Sequence, residues 1–107
     1  MDKQYEIILY GATGFTGQIC CKYIRDNYPD LIWAIGGRNK EKLQQIKSEF
    51  NMNCDLVVAD GADLDALKLM TSQTKVVLST AGPLARYGSL LVQACVEEGS
   101  HYTDITG

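Results

Sequence analysis

The sequence has little that would suit it to nucleic acid, to a metal or to a membrane interior. Its 10 lysines and arginines are outnumbered by 13 aspartates and glutamates, for a net charge of -3. That leaves no basic footprint for nucleic acid or an anionic membrane surface. No apolar run approaches the roughly 18–20 residues of a membrane-spanning helix. Histidine occurs once, at His101, and the four cysteines (Cys20, Cys21, Cys54 and Cys95) include no C-x-x-C pair. A zinc site therefore lacks both spacing and partners, and no metal is expected. The cysteines read as reduced thiols filling core positions, not as a disulfide scaffold. Met1-Asp2-Lys3-Gln4 leads into a strand-like segment without the apolar stretch of a signal peptide, so a cytoplasmic protein is expected, with organelle-surface association left open.

Several kinds of chemistry are missing as well. None of the six tyrosines has a lysine four positions later, which removes the Y-x-x-x-K acid–base pair of short-chain dehydrogenases. No G-x-x-x-x-G-K occurs, so there is no Walker A loop. No Ser/His/Asp set or carboxylate pair stands out. The catalytic residues are thus not named by the sequence, and His101 reads as an ordinary strand-end histidine.

What is present is an ordinary globular balance, 46% apolar and 21% charged over 107 residues. A single domain of this size buries roughly 65% of its unfolded surface. Short apolar runs alternate with helix-period segments. Strands are expected near residues 5–10, 31–36, 54–59, 75–79 and 101–105. Between the first two, Phe15, Ile19, Cys20, Tyr23 and Ile24 recur at helical spacing and are expected to form the buried face of a helix. Asn39 and Asp63 are placed to cap the second and third helices. Their inward faces are expected to carry Leu43, Ile46 and Phe50, and then Leu64, Leu67 and Met70. A fourth helix is expected to bury Leu90, Leu91, Ala94 and Cys95 and to stop at Gly99. The strands show no polar alternation, as strands covered by helices on both faces do not. Right-handed crossovers then give an α/β fold, a Rossmann-type doubly wound parallel sheet of strand order 3-2-1-4-5.

The sharpest motif is Gly11-Ala12-Thr13-Gly14-Phe15-Thr16-Gly17. It leaves the first strand and opens the first helix, the context of a dinucleotide-binding turn. Gly11 allows the tight turn, Gly14 lets backbone approach a pyrophosphate without an intervening Cβ, and Gly17 lets the helix pack close to the sheet. The amides of Phe15 and Thr16, at the positive helix end, are the expected phosphate ligands, with Thr13 beside them. At the end of the second strand stands Gly36-Gly37-Arg38-Asn39-Lys40. The acid that usually meets a free ribose 2′-hydroxyl is missing there, and a guanidinium takes its place. Arg38, with Asn39 and Lys40 beside it, favours a 2′-phosphate and therefore NADP over NAD. The same missing acid weighs against FAD and S-adenosylmethionine.

Asp60, after the third strand, either accepts from the adenine amine or is a plain loop carboxylate. Ala81 and Gly82, in the Ser79-Thr80-Ala81-Gly82-Pro83 segment, are small enough to pass beneath a nicotinamide ribose. Arg86 and Tyr87 either face the nicotinamide or a substrate anion, or are surface residues.

Together these segments resemble the N-terminal NAD(P)-binding domain of the saccharopine dehydrogenase-like oxidoreductases. The resemblance rests on Tyr10 to Gly17, on Trp33-Ala34-Ile35-Gly36-Gly37-Arg38-Asn39-Lys40-Glu41-Lys42-Leu43, on Thr80 to Pro83 with Tyr87-Gly88, and on His101-Tyr102-Thr103-Asp104-Ile105-Thr106-Gly107. Thr103 stands where that family more often has Val, and Gly36 where it often has Ala. The resemblance implies NADP-linked oxidoreduction by a longer protein in which this segment continues into a substrate domain. Residues 1–107 are then expected to be a cofactor domain cut from that protein and inactive alone. Its partners are expected to be the dinucleotide and an unassigned small molecule, with homo-oligomerisation open and no nucleic acid. A non-catalytic dinucleotide sensor on the same fold is the alternative.

Overall fold

A computed structural model describes residues 3–80 and 89–104. Nine elements alternate along it: β1 (Tyr5–Tyr10), α1 (Phe15–Asn27), β2 (Trp33–Gly37), α2 (Lys40–Glu49), β3 (Asp55–Val58), α3 (Leu64–Thr71), β4 (Thr74–Ser79), α4 (Ser89–Glu98) and β5 (His101–Asp104). The five strands form one sheet in the order β3-β2-β1-β4-β5, and every adjacent pair is parallel, as the sequence predicts. The end of β1 lies between its two neighbours, with Tyr10 beside Gly36 on one side and Ser79 on the other. The chain proceeds from β1 to β2 in one direction and is later resumed by β4 in the other. That reversal opens a crevice at the carboxyl ends of the strands, where sheets of this type take their ligands.

The strands alternate between two cores rather than between core and water. Ile8 packs with Ala34, Val77, Leu67, Met70, Leu91, Ala94 and Cys95, on the side of α3 and α4. Its neighbour Leu9 packs with Ile35, Cys21, Ile24, Leu43, Ile46 and Phe50, on the side of α1 and α2. Both faces of the carboxyl end of β1, Ile8 to Tyr10, are thus removed from water, which is why that stretch is apolar without alternation. Each such Leu or Ile contributes about 1.5–3 kcal/mol on full burial. The caps fall where expected: the Asn39 side chain accepts from the Lys42 amide and that of Asp63 from the Ala66 amide. Gly99, at φ +76°, follows α4 as its stop. Leu64 and Leu90, expected inside, are half-buried.

Helix α1 is turned differently from its hydrophobic pattern. Its buried residues are Gly17, Cys21 and Ile24. Phe15, Ile19 and Tyr23 are exposed by 82%, 52% and 58%, and Cys20 is only half-buried. The cause is Gly17. A Cβ there would lie 2.2 Å from the Gly11 carbonyl oxygen and 2.8 Å from the Ala12 Cα. Only the glycine edge of the helix comes that close to the loop, and the rotation this imposes carries Phe15, Ile19 and Tyr23 to the outside. The second strand also begins later than expected, at Trp33, because the Leu31 amide is held in a turn by the Tyr28 carbonyl at 3.2 Å. All four cysteines are free thiols. Ile105, expected to end the last strand, lies outside the described residues.

Candidate cofactor site

The loop leaving β1 is fixed by its own backbone. Gly11 takes φ 90°, a left-handed conformation that favours glycine. Its amide donates to the Gly36 carbonyl at 2.9 Å, and its carbonyl accepts from the Gly14 amide at 3.1 Å. Gly14 is the N-cap of α1, extended at φ -77°, and supplies no side chain to the helix end. The first turn of α1 also carries no acid. The first helical bond is that of Gln18 to the Gly14 carbonyl, so the amides of Phe15 and Thr16 point out of the helix without an intrahelical acceptor. A helix end with no capping side chain and no carboxylate has free donors and a partial positive charge, which suit an anion. Gly14 has no internal reason to be glycine: a Cβ on it would meet only the Gly11 oxygen, at 3.6 Å. What its missing side chain leaves clear is the exposed side of the loop. Thr13 lies in the same turn, and its carbonyl accepts from the Gln18 side chain at 3.0 Å.

The second half of the site lies past β2. Arg38, Asn39, Lys40, Glu41 and Asp60 line an open cavity of about 460 Å³. Arg38 is exposed and forms no hydrogen bond or ion pair among the described residues. Its guanidinium is therefore available to an incoming anion. The Asn39 oxygen is occupied as the cap of α2, and its amide nitrogen remains a donor. Asp60 accepts from the Ala62 amide at 2.9 Å, a local Asx turn, while it lines the cavity. Its plain loop role is thus present alongside its place at the site. Sequence reasoning gave no role to Glu41, which adds a second carboxylate to the wall.

Two contacts to which the sequence reading gave no role anchor these halves, one each. Thr80 ties the end of β4 to the glycine loop through its hydroxyl, which donates to the carbonyl of Gly11 at 3.0 Å. Tyr10, the last residue of β1, donates its hydroxyl to the Ala59 carbonyl at 2.7 Å. Burial pushes the Tyr10 phenol up to about 12; the Asp60 charge adds to the shift and Arg38 opposes it. No local sequence signal marks either contact, because each joins segments about seventy or fifty positions apart.

The expected nicotinamide-side residues Ala81 and Gly82, and Arg86 and Tyr87 with them, lie outside the described residues. His101 is exposed at the amino end of β5, opposite the carboxyl edge that carries the glycine loop. Among the described residues no cluster of His, Cys, Asp or Glu could hold a metal ion.

The sequence matches the family described as "Saccharopine dehydrogenase NADP binding domain" over residues 7–107. The trans-acting enoyl reductase of Mycobacterium leprae is 36% identical over 108 residues, taking in 98% of this chain and 26% of that protein. A lipid droplet localized protein of Caenorhabditis elegans is 34% identical over 114 residues, with 98% and 27% covered. Apo saccharopine dehydrogenase (L-Glu forming) from Saccharomyces cerevisiae superposes with a TM-score of 0.78 at 18% identity, over 94% of this chain and 21% of that one, which shows a shared fold. The chain spans about a quarter of the length of the curated relatives it matches. Matched along nearly its whole length, it belongs to the saccharopine dehydrogenase NADP-binding domain family, and its cofactor is NADP.

Proposed function

We propose that the chain binds NADP across the carboxyl edge of its sheet, with the pyrophosphate on the glycine loop and the 2′-phosphate at Arg38. In this reading Gly11 and Gly17 shape the turn, and Gly14 leaves room for the phosphates. The amides of Phe15 and Thr16 donate to those phosphates, with Thr13 alongside. Asn39 and Lys40 add donors around the 2′-phosphate, and Asp60 accepts from the adenine amine. Ala81 and Gly82 are assigned to the nicotinamide ribose. The observation that carries the assignment is the Arg38 guanidinium, exposed on the cavity and without a partner among the described residues, where β2 ends with no acid.

When bound, the nicotinamide gives or takes a hydride. The residues of this chain bind and orient, and no acid–base pair among the proposed site residues completes a reaction on a substrate. We assign that step to a separate substrate domain, with residues 1–107 as the cofactor domain of a longer oxidoreductase acting on a small molecule. The share of the relatives left uncovered supports this division. No helix among the described residues is long and apolar enough to cross a membrane, and a cytoplasmic location fits the proposed role. Titration of the chain with NADP and NAD tests the reading. Tighter binding of NADP supports it, and equal binding of the two refutes the 2′-phosphate assignment.

A further inference from the structure

We infer that Tyr10 is a positioning residue for the adenosine end of the site, its hydroxyl fixing the point from which Asp60 leaves the sheet. The inference rests on the reading that the cavity lined by Arg38 and Asp60 takes the adenosine end of NADP.

In the sheet β2 lies between β1 and β3. Tyr10 on β1 is the partner of Gly36 on β2, and Gly36 is in turn the partner of Val57 on β3. To reach the Ala59 carbonyl beyond the end of β3, the phenol ring must cross the width of β2. Strands are about 4.8 Å apart, so the span covers two such spacings, within reach of a tyrosine laid along the sheet. The crossing passes over Gly36. A Cβ there would stand 3.3 Å from Tyr10 Cδ1, 3.2 Å from Ile8 Cγ2 and 3.4 Å from Met70 Sδ. The bare glycine is the floor on which the ring lies.

The hydroxyl is buried with its residue, which is 5% exposed, so its hydrogen bond is not exchangeable for water at no cost. At its other end Ala59 is 2% exposed and held on both sides. Its amide donates to the Gly37 carbonyl at 2.9 Å, and its carbonyl accepts from Tyr10 at 2.7 Å. The next residue is Asp60. The Asp60 turn therefore departs from a residue whose two main-chain polar groups are pinned to β2 and β1. The same β2 terminus presents Arg38. The phenol thus completes, with the Ala59 amide, the fixing of Asp60 relative to Arg38, and its response to the charges of both Asp60 and Arg38 fits that central place.

The test compares the full chain with its Tyr10→Phe variant, which keeps the ring over Gly36 and removes only the hydroxyl. Adenosine 2′,5′-bisphosphate and 5′-AMP are titrated against both proteins, and a denaturation midpoint is recorded. The expected result is a loss of about three- to tenfold in affinity for the bisphosphate, the scale of one neutral hydrogen bond. A purely structural tyrosine lowers the midpoint and leaves the affinity of the folded protein unchanged, and that result overturns the inference. Wild-type protein that does not prefer the bisphosphate to 5′-AMP overturns the reading of the cavity, and the inference falls with it. Should the variant not fold, the wild-type protein decides: saturation with the bisphosphate should shift the ring NMR signals of Tyr10. Unmoved signals at saturation overturn the inference.

Discussion

The Thr80 hydroxyl donates to the Gly11 carbonyl at 3.0 Å and approaches the Tyr10 carbonyl at 3.2 Å, while its amide donates to that same Tyr10 carbonyl at 2.8 Å. The Gly11 oxygen also accepts from Gly14 and is the atom that Gly17 passes most closely. The loop proposed to hold the pyrophosphate is therefore anchored at one oxygen to the residue that follows β4 and to the cap of its own helix. Thr80→Val keeps the shape and removes the donor. It should lower stability by about 1 kcal/mol, read from the denaturation midpoint, and Thr80→Ser should recover most of the loss. A Val variant as stable as the wild type would show that the contact contributes nothing.

The glycines of the loop should separate folding from binding. At Gly17 an added Cβ meets backbone at 2.2 Å, which cannot yield as a flexible side chain would. Gly17→Ala should therefore destabilise the domain by about 3 kcal/mol or more. At Gly14 the added Cβ makes an ordinary 3.6 Å contact, in a conformation any residue adopts. Gly14→Ala should keep stability within about 0.5 kcal/mol and weaken NADP about tenfold or more, through the methyl group placed in the phosphate cradle. Denaturation and ligand titration on the two variants check both halves, and normal NADP binding by the Gly14→Ala variant would remove Gly14 from the site.

Strand order and the glycine turn were legible because their signals are local: unbroken apolar runs, and glycines between a strand and a helix. Ile24 is buried as the pattern predicts, but the rotation of α1 differs from that pattern because Phe15, Ile19 and Tyr23 outweigh Gly17 and Cys21 in apolar surface. A close backbone approach carries no hydropathy, although the packing role of Gly17 was itself legible. Asn39 and Asp63 were legible as caps because capping needs only a side chain and the next turn of helix. The Tyr10–Ala59 and Thr80–Gly11 contacts were not, since each exists only after the sheet has brought distant strands together.

Stability should fall on the alkaline side. Burial pushes the Cys21 thiol up to about 12, with Cys54 and Cys20 adding to it, and the Cys54 and Cys95 thiols up to about 11. The Tyr5 and Tyr10 phenols rise to about 12, again mainly through burial, with the hydrogen bond to Asp55 contributing at Tyr5. Each folded value lies above the ordinary one, so above about pH 9 the unfolded chain loses protons that the folded chain keeps. The contribution is fully present below that pH and is lost as pH rises through the folded values. Denaturation midpoints should stay level to about pH 9 and then drop. Level midpoints up to about pH 11 would show that these groups titrate as they do in the unfolded chain.

The central claim, that this domain binds NADP through a 2′-phosphate held by Arg38, is tested most directly by calorimetric titration of the wild type and Arg38→Ala with NADP and with NAD. The wild type should bind NADP more tightly than NAD. Arg38→Ala should weaken NADP by about 1.5–3 kcal/mol, the range for a hydrogen bond to a charged group, and leave NAD nearly unchanged. Equal affinities for the two dinucleotides in the wild type, or equal losses in the variant, would contradict it.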